Sequence, residues 1–283
     1  LLDYQLAALS NLAATLQFIG GEDFGKLTSS YPNVNFKFNN YHSSTGPIAS
    51  FMLADLDGDT DVLVLYGDVI INKDIVKKML VTSGDVVTAI EPLNNLELNH
   101  KYENLDLSEH LIIEKNTEVI VPDDLQGGSK RSRFSGMVLL RKRAVEFIKK
   151  DKSSVIKKYG DQKLSSLLLL LSAKKLHFSY LYSDGNIVEI SDPSDITNYI
   201  LTTKANTLRN LEPVLKNSII LPQVSFTLGE WRTKPKTLIQ LIKSKLKNDY
   251  LIVRSSSSLE DSFNSASAGV FDSVAEVNIH SDA

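Results

Sequence analysis

The chain contains no cysteine, which excludes disulfides, thiolate catalysis and cysteine-ligated zinc and leaves the redox compartment open. Surplus charge is missing as well: 31 Lys and Arg against 34 Asp and Glu give a formal net charge of -3. That balance points to neither a nucleic-acid partner nor an acidic membrane surface. Long apolar runs are absent. The longest, around residues 167–171, is far too short to span a bilayer, and the N-terminus lacks the basic start of a signal peptide. The expectation is a soluble, cytoplasmic protein with no nucleic-acid partner and no membrane insertion. Histidines at positions 42, 100, 110, 177 and 280 form no pair at metal-site spacing and read as ordinary surface or loop residues.

What is present suffices for two ordinary globular domains: 283 residues, of which 42% are apolar. The chain begins at Leu1 inside a helix-like segment and ends at SVAEVNIHSDA, just after a strand-like run. Both ends are therefore expected to fall within larger domains.

Residues 1–16 carry apolar positions at helical spacing, and 34–38 read as a short strand. Gly46-Pro47 opens a helix over 46–54, Pro being tolerated in a first turn. DVLVLYGDVII, residues 61–71, reads as one buried strand. An amphipathic helix over 72–80 and a strand over 85–92 follow, then strands within 110–121 and over 134–140. Helices are expected over 143–150 and 161–174, strands over 176–182 and 186–190, and a helix over 193–202. This alternation favours an open, mostly parallel α/β sheet covered by helices. The character changes near Leu201: helices over 204–215 and 235–247, a strand over 250–253, then a serine-rich stretch. The expected domains are 1–200 and 201–283.

Asp68 follows a run of apolar and aromatic residues and Gly67, which places it at the carboxyl end of a strand. In open α/β sheets ligands bind at that edge. A carboxylate there can hold Mg²⁺ against a triphosphate, although Gly-Asp is also a common strand-ending turn.

Five segments in order, LLDYQLAAL, FNNYHSSTGPIASFMLA, DVLVLYGDVII, RFSGMVLL and NIVEISDPSDI, resemble the nucleotidyltransferases that activate sugar phosphates, phosphocholine or phosphonates. The resemblance covers about residues 1–200. It implies a Rossmann-like fold, a nucleoside triphosphate and a phosphorylated small acceptor as substrates, and Mg²⁺ as cofactor. It makes Asp68 the catalytic, metal-ligating aspartate and places Ser44, Thr45 and Gly46 in the substrate pocket. The family's glycine-rich triphosphate loop would precede Leu1. Its late motif carries a second metal aspartate where this chain has Ser191; Asp192, one place on, is the substitute candidate. Asp192-Pro193 is also a good N-cap with Pro at the first helical position.

Residues 203–283 resemble the start of the ATP-grasp domain of pyruvate-phosphate dikinase and phosphoenolpyruvate synthase. TKANTLRNL, LPQVSFTLGEW and above all LIVRSSSSLEDSFNSASAGVFDSV carry it. It implies an α+β ATP-grasp fold in which Lys204 and Arg254 meet ATP phosphates, with Ser265, Ser267 and Gly269 in the flexible loop beside them. An arginine ending a strand presents a planar donor fork to phosphate oxygens, and lysine a mobile point charge. Glu260 and Asp261 match the pattern too, as loop organisers or ligands.

DLDGDTD, residues 55–61, lacks the glycine position and final glutamate of a calcium loop and reads as a polar turn. Lys130, Arg131 and Arg133 make a basic loop that could close on phosphate but reads first as a solvated hairpin tip, and GGSKRSRFSG has the wrong spacing for a P-loop. The leading expectation is a nucleotidyltransferase joined to an ATP-dependent phosphotransferase, inactive without its flanking segments. The alternatives are a GT-A glycosyltransferase and a nucleotide-binding module without catalysis.

Overall fold

The computed structural model describes residues 1–21, 24–57, 59–92, 110–114, 118–120, 131–256, 261–262, 265–266 and 273–281. The chain forms two compact units, Leu1–Glu189 and Ile190–Ala283.

The first unit runs α1 (Leu2–Leu9), β1 (Gln17–Gly20), α2 (Phe24–Ser30), β2 (Asn35–Phe38) and α3 (Pro47–Phe51). Next come β3 (Val62–Leu65), β4 (Val69–Ile71), α4 (Lys73–Val81) and β5 (Val86–Pro92). Then follow β6 (His110–Glu114), β7 (Glu118–Ile120), β8 (Arg131–Leu140), α5 (Lys142–Lys150) and α6 (Lys152–Tyr159). The unit closes with α7 (Leu164–Ser172), β9 (Phe178–Tyr182) and β10 (Ile187–Glu189).

The α/β class expected from the sequence is the one that forms, but its main sheet is mixed, with β5–β9 its parallel pairing among the described strands. The main sheet has the order β7-β6-β8-β5-β9, with β3 also pairing β8. β5 and β9 are parallel, whereas β3, β5 and β6 each pair β8 antiparallel. It follows that β3, β5, β6 and β9 all point one way and β8 runs against them. β1 and β2 form a separate parallel pair.

Helices cover both faces, which explains why β5 reads as a near-continuous apolar run. Val86 and Ile90 face one core with Ile48 of α3, Ala144 and Ile148 of α5, and Leu167, Leu168 and Leu171 of α7. Val87 and Ala89, on alternate positions, face the other, with Ala8 of α1 and Ile75, Val76 and Met79 of α4.

Three expectations for this unit need correction. The helix expected over 1–16 ends at Leu9, where Ser10 and Asn11 favour backbone bonding outside a helix, and the chain enters β1. The run 61–71 is two strands, because β3 joins β8 while β4 pairs β10 antiparallel; Gly67 and Asp68 occupy the turn between them. Arg133 is no hairpin tip but part of β8, its side chain only 16% exposed.

β8 carries an irregularity beside that turn. Thr88 pairs Val138 and Ile90 pairs Phe134, so residues 135–137 of β8 stand opposite Ala89 alone. Gly136 there has φ +76, and a Cβ would lie 3.0 Å from the Tyr66 ring and 3.1 Å from Val69. Its carbonyl accepts from Tyr66 N at 2.9 Å. Such bulges re-aim the chain next to functional sites.

At the opposite sheet edge the polar turn of residues 55–61 is used for structure. Arg141 donates to Asp61 at 2.6 Å and to the carbonyls of Leu80 and Thr82, while Lys142 pairs with Asp59.

The second unit contains α8 (Pro193–Ile200), α9 (Lys204–Leu211), a 3-10 turn (Glu212–Val214), α10 (Leu228–Thr233) and α11 (Pro235–Lys245). β11 (Tyr250–Arg254) pairs β14 (Ser273–Asn278) antiparallel, and β12 (Asp261–Ser262) pairs β13 (Ser265–Ala266). Pro213, which has no N–H to donate, ends α9 earlier than the expected 204–215. Its helices bury no residue, and Ile219, Leu221, Leu228 and Ile252 are exposed.

Candidate functional site

The turn after β3 is held from below. Gln5, 6% exposed on α1, donates from Nε2 to the carbonyl oxygens of Tyr66 and Val69, both at 2.8 Å. With the two flanking carbonyls fixed, Gly67 and Asp68 are presented at the carboxyl end of β3, and both are exposed. Asp68 is open to solvent on one side, yet protein displaces water on the other. That burial pushes its carboxyl above the ordinary value; its own backbone N–H and Lys163 oppose the shift, and Glu189 adds to it.

Glu189 reaches the turn because β10 pairs β4 with Glu189 opposite Val69. Its carboxylate accepts from Arg133 Nη1 at 2.5 Å, while Arg133 Nη2 donates to Glu91 at 3.1 Å. Arg133 and Glu91 are themselves cross-strand partners on β8 and β5. Asp68, Glu91, Arg133 and Glu189 thus share the edge where β3 and β5 end.

Lys163 comes from the turn between α6 and α7. That turn is fixed twice: Leu164 N donates to the Tyr66 hydroxyl at 3.1 Å, and the loop after β2 packs against it. Gly46 N donates to Gly160 O at 2.8 Å and Ile48 N to Gln162 O at 3.2 Å. A Cβ on Gly46 would lie 2.5 Å from the Asp161 carbonyl and 2.6 Å from Gln162 O. Glycine at 46 is therefore required by this backbone approach, and Pro47 follows at the start of α3 as expected.

Ser44 and Thr45 hydroxyls donate to Tyr41 O, and Thr45 Oγ1 also accepts from Asn39 Nδ2 at 3.0 Å. Asn39, 4% exposed, holds this loop, its Oδ1 accepting from Tyr41 N. The structure thus links the 44–46 loop, the α6–α7 turn and the Asp68 turn into one chain of contacts. Gln5 and Lys163 were not singled out by sequence reasoning, and Arg133 was named only as part of a basic loop. Only the position of Gln5 on a helix resembling the family's could have drawn attention to it.

Asp192 lies in the second unit and does what its Asp-Pro context suggested. It is the N-cap of α8 in a full capping box, its Oδ1 accepting from Ser194 N at 2.7 Å and from Ser194 Oγ at 2.5 Å. Those hydrogen bonds hold its carboxyl below the usual range. Ser191 N donates to Asp195 at 2.8 Å in the same turn.

In the second unit Lys204 opens α9, with Thr203 as N-cap. Ala205 N donates to Ser256 Oγ at 3.1 Å, which brings the first turn of α9 against the segment that follows Arg254. Arg254 is exposed, ends β11 and pairs Ser273. Ser265 lies on β13 opposite Ser262; Ser267, Gly269 and Glu260 lie outside the described residues. Among the described residues no group of three or more His, Asp or Glu side chains could hold a metal, and no helix is long and apolar enough to cross a membrane.

No protein-family model matches the chain, and no curated protein matches it. Solved structures do. The inositol-1-phosphate CTP transferase from T. maritima aligns with a TM-score of 0.51 at 12% identity, over 75% of this chain and 83% of that one. A putative glucose-1-phosphate thymidylyltransferase from Bacillus anthracis aligns with a TM-score of 0.49 at 16% identity, over 79% and 83%. The CTP:phosphocholine cytidylyltransferase from Streptococcus pneumoniae reaches 0.44 at 19% identity, over 70% and 82%. The first of these likenesses shows a shared fold.

Proposed function

We propose that the first unit is the body of a nucleotidyltransferase acting on a nucleoside triphosphate and a phosphorylated small acceptor. The observation that carries this reading is the Asp68 carboxylate, held outward at the carboxyl end of β3 by Gln5 and lying beside Glu189. A phosphate oxygen of the acceptor attacks the α-phosphorus, forming a new P–O bond. The bond to the β-phosphate breaks, and pyrophosphate leaves with the electron pair.

The residues present suit Mg²⁺, which binds through one or two carboxylates and fills its other positions with water and substrate phosphates. Asp68 is the ligand, whereas Glu189 is engaged by Arg133 and Asp192 caps α8. When bound, Mg²⁺ supplies neutralisation of the triphosphate charge. The chain's own contribution is positioning. Gln5 fixes the Asp68 turn, and the 44–46 loop with the α6–α7 turn orients the substrates against it.

We propose also that the second unit begins an ATP-binding domain of the dikinase type. Lys204 and Arg254 contact ATP phosphates there, with Ser265, Ser267 and Gly269 in the loop nearby. The Ala205–Ser256 hydrogen bond supports this, because it draws the two basic positions toward one place.

The test is Mg²⁺-dependent pyrophosphate release by the full-length protein, assayed over a panel of nucleoside triphosphates with phosphorylated acceptors. Release abolished by Asp68→Ala supports the reading. Release that survives Asp68→Ala, or no release with any pair, removes it.

A further inference from the structure

Arg133 lies between two acids at the Asp68 edge, and its placement is costly to arrange. Its side chain is 16% exposed, while those of Glu91 and Glu189 are 41% and 44% exposed. The two acids come from different ladders. Glu91 sits beside Arg133 in the main sheet, and Glu189 ends β10, which is held to β4 by only three residue pairs. A bidentate fork suits such bridging, since each guanidinium nitrogen takes a separate carboxylate in fixed geometry. Nothing about sheet stability calls for a charge here, because the desolvation of a mostly buried guanidinium offsets much of what its ion pairs gain. What the bridge does is fix the last residue of β10 directly beside the Asp68 turn, with its negative charge compensated.

We propose that Arg133 is a positioning residue for the Asp68 site, holding Glu189 in place and setting the net charge that a cation or a polyphosphate meets there. The inference rests on the reading of Asp68 as the substrate-side carboxylate. Among the described residues at this edge, Arg133 and Lys163 stand against Asp68, Glu91 and Glu189. Without Arg133, Glu189 and Glu91 are uncompensated, so the edge becomes more attractive to a divalent cation and more repellent to a nucleotide. Without the Glu189 charge the reverse holds. A side chain that merely stabilises the fold would produce no such reversal.

The experiment titrates Mn²⁺ into the full-length protein by calorimetry and measures KM and kcat for nucleotide in parallel. The variants are Arg133→Met, Arg133→Lys, Glu189→Gln and Arg133→Met/Glu189→Gln. Arg133→Met should bind Mn²⁺ more tightly and raise KM for nucleotide, each by roughly two- to fivefold, the range of a partly screened surface charge. Glu189→Gln should move both in the opposite direction, the double variant should return toward wild type, and Arg133→Lys should fall between. Should Arg133→Met fail to fold, the Glu189→Gln and Arg133→Lys shifts still decide the matter. Unchanged Mn²⁺ affinity, or the same sign for Arg133→Met and Glu189→Gln, overturns the proposal. If wild type releases no pyrophosphate while the opposed Mn²⁺ shifts remain, the nucleotidyltransferase reading fails and the role of Arg133 stands.

Discussion

The Gln5 side chain on α1 donates to the carbonyl oxygen of Val69 at 2.8 Å, across 64 residues of chain, and spends its second N–H on Tyr66. One buried amide thus satisfies both carbonyls that flank the Asp68 turn. Removing a partner from buried carbonyls costs more than forming the bond gained, because the oxygens cannot recover water.

Gln5→Leu should accordingly destabilise the first unit by about 1–3 kcal/mol in urea unfolding, and lower pyrophosphate release further than the stability loss explains. Gln5→Glu should be worse at neutral pH, since an ionised carboxylate offers those carbonyls no donor. Equal stability for wild type and Gln5→Leu would mean that the turn holds itself.

The raised pKa of Asp68 fixes a sign. A carboxyl whose folded value lies above its unfolded value makes the native state bind more protons, so stability falls as pH rises through that window. Asp68→Asn removes the effect. The variant should be at least as stable as wild type at neutral pH, with the difference shrinking below the ordinary carboxylate range. Its pyrophosphate release should drop by about a hundredfold or more, the size of several kcal/mol of lost charge stabilisation. Thermal unfolding against pH, run beside the activity assay, checks both halves. Loss of stability in Asp68→Asn at neutral pH would assign the residue a structural role.

Much of this site could be read from the sequence wherever the signal was local. The apolar run ahead of Gly67-Asp68 located the strand end, Gly46-Pro47 the start of α3, and Asp192-Pro193 the N-cap of α8. What stayed hidden is non-local. Nothing within residues 61–71 says that the run must break to serve two ladders, since the break is imposed by β8, β10 and Gln5. Arg133 looked like part of a basic loop because its two acids lie 42 and 56 residues away. Elements α2 and α6 and strand β1 were missed because each is short and weakly periodic, so that tertiary pairing decides them.

Gly46 gives a test of how the loops depend on one another. A Cβ there would meet backbone atoms of Asp161 and Gln162 at 2.5–2.6 Å, and backbone cannot swing aside as a side chain can. Gly46→Ala should push the α6–α7 turn away from the 44–46 loop, costing about 1–3 kcal/mol of stability. Because the same turn carries Lys163 and is tied to Tyr66, KM for substrate should rise more than kcat falls. A neutral Gly46→Ala in both unfolding and kinetics would show that the approach relaxes freely.

Arg254 is the strongest candidate for binding in the second unit. It ends β11, where pairing with Ser273 of β14 holds its backbone while the side chain stays exposed. A strand end fixes the origin of the side chain, and the guanidinium then presents its fork without further ordering of the main chain. Charge-assisted contacts of this kind contribute roughly 1.5–3 kcal/mol each, so Arg254→Ala should weaken ATP binding about ten- to a hundredfold. Arg254→Lys keeps the charge and loses the fork, and should fall between. Lys204→Ala should be milder, because an ammonium on a flexible stem is less preorganised, even though the Ala205–Ser256 hydrogen bond fixes the main chain beside it. Nucleotide titration of the full-length protein, with each variant's fold checked by circular dichroism, supplies the comparison. Equal ATP affinity for wild type and Arg254→Ala would remove Arg254 from the ATP site and leave the dikinase-type reading of this unit without its principal residue.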